Sequence, residues 1–155
     1  MSRAFVKEND DSGELLPELA VSPHPNFVTP TGLALIEQRV ATLEVEQRAA
    51  RGGNDKPLLA RINRDLRYWT QRRASARPVP AAVAPIEVVR FGISVSLRFD
   101  DGTARSFRIV GEDEADPANG LVSWAAPLGR ALTGKTTGDE VEVLGRTAEI
   151  GALLP

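Results

Sequence analysis

The chain has 155 residues, enough for one ordinary domain or two small ones, and its 42% hydrophobic and 26% charged content is that of a globular protein. Its formal net charge of -2 gives no global attraction to nucleic acid or anionic membrane, so partner choice has to come from local patches. The absence of cysteine excludes disulfides and thiolate metal sites, and no window approaches the roughly 18 uninterrupted apolar residues of a membrane span. Near the N-terminus Lys7, Glu8, Asp10 and Asp11 follow Phe5 where a signal peptide would be apolar, so a soluble, cytoplasmic protein is expected.

Residues 1–28 mix acids with Pro17, Pro23 and Pro25 and carry few periodic apolar residues, so they are expected to form a flexible N-terminal arm. His24, within Ser22-Pro23-His24-Pro25, reads as a solvent-facing loop residue. Thr29-Pro30 then signals a helix start, since a threonine cap accepts an orphan backbone N–H and proline fits the first turn. From there a helix is expected to run to Ala50. Its seam is Leu33, Ile36, Val40, Leu43, Gln47 and Ala50, in alternating steps of three and four. The stretch from Arg51 through Gly52, Gly53, Asn54, Asp55 and Lys56 to Pro57 is a turn. A second helix over 57–76 repeats the spacing with Leu59, Ile62, Leu66, Trp69, Arg73 and Ala76. So short a connection folds the two seams together as an antiparallel coiled-coil hairpin over 29–77, each arm a rod of roughly 30 Å.

Pro78, Pro80 and Pro85 mark a Pro/Ala linker over 78–86, where missing donors disfavour helix and central strand alike. Beyond it, over 87–155, the apolar period changes to two. Ile93, Val95, Leu97 and Phe99 alternate with polar residues, Asp100-Asp101-Gly102-Thr103 turns the chain, and Ala104 to Val110 returns as a partner strand. Leu121 to Trp124 reads as a further strand, Pro127 to Leu132 as a short helix, and 141–144 with 147–153 as a closing pair. The fold class is therefore α+β, an N-terminal helical hairpin followed by a small antiparallel β domain with one short helix packed on it.

Within that domain lies Val110-Gly111-Glu112-Asp113-Glu114-Ala115-Asp116-Pro117, with four carboxylates in five residues. On composition alone this is a solvated, turn-forming loop. Its neighbours change that reading. It is followed by Ala126-Pro127-Leu128-Gly129-Arg130-Ala131-Leu132-Thr133-Gly134-Lys135 and by Gly138-Asp139-Glu140-Val141, and preceded by Val28-Thr29-Pro30-Thr31-Gly32-Leu33 and Val89-Arg90-Phe91-Gly92-Ile93-Ser94-Val95. In this order and spacing, residues 28–154 resemble the bacterial Gre transcript-cleavage factors, the GreA/GreB family. The resemblance implies an FKBP-like C-terminal domain that docks at the rim of the RNA polymerase secondary channel, and a hairpin that reaches down the channel toward the active site. It also implies polymerase contacts by the acidic loop and the proline-headed turn, which makes Asp113, Asp116, Pro127 and Leu128 the candidate docking residues. Ala126 stands where the family has a serine, which removes a hydroxyl hydrogen bond from that contact.

The family's hairpin tip carries an Asp and a Glu three apart that help hold a second Mg²⁺ in the polymerase active site, a hard cation that needs oxygen ligands. Here the tip is Gly53, Asn54 and Asp55. Asp55 is flanked by Arg51 and Lys56, which repel a metal and compete for its oxygens, and capping the second helix accounts for it. The arms also look shorter than those of cleavage factors. Arg61, Arg64, Arg67, Arg72, Arg73 and Arg77 make the second helix basic, first a solvated face and second a possible contact for acidic channel walls or RNA phosphate.

The expected function is that of a monomeric, non-enzymatic regulator of transcription elongation. It binds RNA polymerase at the secondary-channel rim, without efficient stimulation of transcript cleavage, and touches nascent RNA or DNA only within the polymerase complex. No catalytic residue, metal, cofactor or membrane partner is expected. Two alternatives stay open: cleavage stimulation resting on Asp55, and a peptidyl-prolyl isomerase or chaperone module suggested by the FKBP-like fold alone.

Overall fold

The structure is a computed structural model and describes residues 16–155. Helix α1 (Pro30–Arg51) begins where the sequence signals it. Thr29 Oγ1 accepts from the Gly32 backbone N–H at 2.9 Å, and Pro30 sits in the first turn, where no donor is needed. Helix α2 (Lys56–Ser75) is capped by Asp55, whose Oδ1 accepts from Leu58 N at 2.9 Å. Ile36, Val40, Leu43 and Ile62 are buried along the seam of the hairpin. Gln47 fills its seam position by donating from Nε2 to Asn63 Oδ1 at 2.6 Å, a polar crossing between the arms.

At the base of the hairpin the seam departs from expectation. Arg72 is 2% exposed, while Arg73 faces solvent. Both lie at permitted steps of three or four from Trp69, so periodicity alone cannot choose between them. Partners outside the helix decide the matter, as described below.

Strands β3 (Ser94–Phe99) and β4 (Ala104–Val110) form the expected hairpin, with Asp101 Oδ1 accepting from Thr103 N at 2.9 Å to fix the turn. Beyond β5 (Leu121–Ser123) come the short helix α3 (Pro127–Leu132) and strands β6 (Glu140–Val143) and β7 (Arg146–Leu154). The five strands of this sheet run in the order β5-β4-β3-β7-β6. One edge corrects the expectation of an antiparallel sheet: β5 runs parallel to β4, with Ile109 opposite Val122. Residues 111–120 cross over between them through a single 3₁₀ turn at Pro117–Asn119, so the chain returns in the same direction as it left. Ile93, Val95, Leu97, Ile109, Leu132 and Ile150 are each fully buried in one core, with α3 closing over it.

The segment read as a flexible arm divides in two. Residues 1–15 lie outside the described residues. The described remainder ends in β1 (Phe27–Val28), which pairs in parallel with β2 (Arg77–Pro78) at the start of the stretch read as a linker. Arg77 N donates to Asn26 O at 2.8 Å and Val79 N to Val28 O at 2.9 Å. Three prolines did not prevent this pairing, because a two-residue edge ladder needs few donors.

Candidate functional site

The acidic run joins the two halves of the molecule. Asp113 Oδ2 accepts from Arg72 Nε at 2.7 Å, and Asp113 Oδ1 lies 3.4 Å from the Tyr68 hydroxyl. Arg72 Nη2 donates to Asn26 Oδ1 at 2.8 Å, and Asn26 returns the contact by donating from Nδ2 to the Arg72 carbonyl at 2.8 Å. Glu112 Oε1 accepts from the Ser22 hydroxyl at 2.9 Å, while its Oε2 faces Arg72 at 3.9 Å as an ion pair without a hydrogen bond. Glu114 accepts from the Thr29 hydroxyl, so the cap of α1 is itself held by the acidic loop. Burial beside these carboxylates pushes the Tyr68 phenol above its ordinary range, with the Asp113 charge adding to the effect.

Two glycines permit this approach. A Cβ on Gly111 would lie 2.4 Å from the Phe27 carbonyl oxygen, and one on Gly32 would lie 2.6 Å from Glu114 Oε2. Phe27 completes the junction between Trp124, at 5.2 Å between ring centroids, and Phe91, at 6.1 Å. His24, read as a solvent-facing loop residue, instead sets its ring edge-on to Trp124 at 5.8 Å.

The four sequence-nominated docking residues do not form one cluster. Asp113 is committed to Arg72 and faces inward at the junction, with 11% of its side chain exposed. Asp116 and Pro127 instead bracket the edge strand β5. Asp116 pairs through its backbone with Leu121, and its Oδ2 accepts from Asn119 Nδ2 at 2.7 Å. Pro127 is exposed at the start of α3, and Leu128 is half-buried against the core. Ala126 caps α3 without a side-chain hydrogen bond, as expected where a serine hydroxyl is missing.

At the tip, Gly53, Asn54 and Asp55 are all exposed. Asp55 gives one oxygen to its helix cap, and no group of three His, Cys, Asp or Glu side chains suited to a metal occurs among the described residues.

A family model described as transcription elongation factor GreA/GreB, C-terminal, matches residues 84–150, the span that holds the sheet, the acidic loop and α3. Transcription elongation factor GreB of Neisseria meningitidis serogroup B is 32% identical to this chain over 135 residues, which cover 75% of this chain and 83% of that one. The chain belongs to the GreA/GreB family. Transcription elongation factor GreA of Desulfovibrio desulfuricans is 38% identical over 79 residues, about half of each chain. A solved structure of the GreA factor homolog Gfh1 of Thermus thermophilus overlays 85% of this chain and all of that one, with 20% identity and a TM-score of 0.42.

The sequence nominated the acidic run but missed its partners. Arg72, Asn26, Ser22 and Phe27 lie 41 to 90 residues away from the groups they meet, or in a segment with no periodicity to mark it. The one available signal was local: Thr29-Pro30-Thr31-Gly32 joins a helix cap to a glycine, which is what a close neighbour at the helix start requires.

Proposed function

We propose that this GreA/GreB-family protein binds RNA polymerase at the rim of the secondary channel through its C-terminal domain, and regulates elongation without efficiently stimulating transcript cleavage. The observation that carries this reading is the tip. Asp55 is its one carboxylate, it is used as a helix cap, and Arg48, Arg51 and Lys56 surround it in sequence. A Mg²⁺ ion would need several oxygen ligands there, and neighbouring cations oppose it.

The docking face we assign is the rim of β5, with Asp116 supplying charge and Pro127 with Leu128 an apolar anchor. Asp113 is left out of it, since its carboxylate serves the junction. The protein is not itself an enzyme in this reading. The alternative of cleavage stimulation through Asp55 is weakened by the cap. An isomerase pocket is weakened because Phe99 and Phe107 are core residues while Phe91 and Trp124 flank Phe27. The test is a backtracked elongation complex to which the protein alone is added at ordinary Mg²⁺. Transcript length should stay unchanged; rapid factor-dependent shortening of the RNA would overturn the reading.

A further inference from the structure

The turn that begins α3 is placed by a residue outside the docking face. Trp124 follows β5 directly and stands three residues before Pro127. Its N–H donates to Val110 O at 2.9 Å, and Ala126 N closes a turn on Ser123 O at 3.1 Å. The first turn of α3 lies against this backbone. A Cβ on Gly129 would collide with the Ser123 carbonyl oxygen and come within 3.0 Å of Trp124 Cα, so only glycine allows the approach. Any shift of Trp124 is therefore passed on to Pro127 and Leu128, the apolar anchor of the docking face.

What holds the indole is not a polar contact. Trp124 Nε1 is buried with no hydrogen-bond acceptor among the described residues. The ring instead meets two aromatic side chains of the N-terminal segment edge-on, Phe27 at 5.2 Å and His24 at 5.8 Å with 72° between the planes. Such pairs favour one arrangement of the rings over others. Neither Phe27 nor His24 belongs to the hydrophobic core of the C-terminal domain. The segment that presents them is itself fixed. Pro23 and Pro25 restrict the backbone on both sides of His24. The His24 N–H donates to Ser22 Oγ at 3.2 Å, and that hydroxyl donates to Glu112 at 2.9 Å. Phe27 N donates to Pro25 O at 3.0 Å, while Asn26 and Arg72 of α2 bind each other reciprocally. One short strap thus grips the hairpin, the acidic loop and Trp124 together.

We propose that His24 is a positioning residue for polymerase binding: its ring, with that of Phe27, holds Trp124 so that the Pro127 turn is presented in its docking conformation. His24 touches no partner in this role. The inference rests on polymerase binding through the β5 rim, proposed above. Losing the edge contact lowers the population of the competent turn, and apparent affinity falls by the same factor. Phe27 also packs on Phe91 at 6.1 Å, so its removal would disturb the junction more widely, and His24 is the cleaner probe.

The experiment titrates core RNA polymerase with the full chain, with His24→Ala and with His24→Phe. It also follows amide exchange in each protein alone at Arg130, whose N–H donates to Ala126 O at 3.0 Å in the first turn of α3. His24→Ala should bind about two- to ten-fold more weakly, and its Arg130 amide should exchange faster. His24→Phe keeps an aromatic edge against the indole and should match the parent in both measurements. Unaltered binding by His24→Ala would overturn the proposal. So would an equal loss of binding in His24→Phe, which would place the imidazole itself against the polymerase. A parent chain that fails to bind polymerase would overturn the polymerase reading itself and this role with it.

Discussion

Arg72 is the residue on which the relation of hairpin to sheet turns. A guanidinium taken almost wholly out of water is tolerable when each face finds an acceptor, and here Asp113, Asn26 and the more distant Glu112 supply them. Such a pair adds little net stability over an apolar pair of the same shape, but removing one partner strands the other. Asp113→Ala should therefore cost about 3 kcal/mol in denaturant unfolding. Adding Arg72→Met to it should recover part of that loss, with a coupling of about 1–3 kcal/mol, whereas strictly additive losses would refute the pairing. Gly111 makes a sharper case, because its neighbour is backbone. Gly111→Ala would set a methyl group against the Phe27 carbonyl, so the expected outcome is faster amide exchange at Val79, whose N–H depends on Val28. Unchanged exchange there would show that the strap does not depend on this close approach.

The elements differ in how far the sequence revealed them. Helix α1 and the first two-thirds of α2 were legible, because Leu33 to Ala50 and Leu59 to Trp69 keep one spacing and both caps are local. The alternation of Ile93 to Phe99 likewise specified β3 and its inward face. What could not be read was any feature set by distant partners: the inward turn of Arg72, the parallel return of β5, and the pairing of Phe27–Val28 with Arg77–Pro78. The site divides on the same line. Asp116 and Pro127 flank the edge strand β5, while Asp113 turns inward to Arg72, a partner 41 residues earlier in the chain that no local pattern reveals. At the tip, the cap predicts that Asp55→Ala costs about 1 kcal/mol in stability. The same substitution should leave polymerase binding unaltered. Loss of binding together with an unchanged melting temperature would mean that Asp55 serves the partner and not the helix.

Across the whole molecule, charge is segregated in a way the net value of -2 conceals. Residues 29–77 hold ten Lys and Arg against five Asp and Glu, whereas residues 87–155 hold seven against eleven. A basic rod fixed to an acidic base by a buried junction is an oriented object, suited to approach a partner one way round. This GreA/GreB-family chain thus keeps the family's C-terminal domain and joins it to a hairpin whose tip offers one carboxylate, already bonded. Its effect on the polymerase would then come from occupancy. The most direct test is competition: backtracked complexes are given a cleavage-competent GreB together with rising amounts of this protein, in parent form and as Asp116→Arg with Pro127→Asp. The account predicts that the parent slows GreB-dependent cleavage in proportion to its concentration and that the double variant does not. Cleavage that is unaffected by the parent, or accelerated by it, would contradict the account.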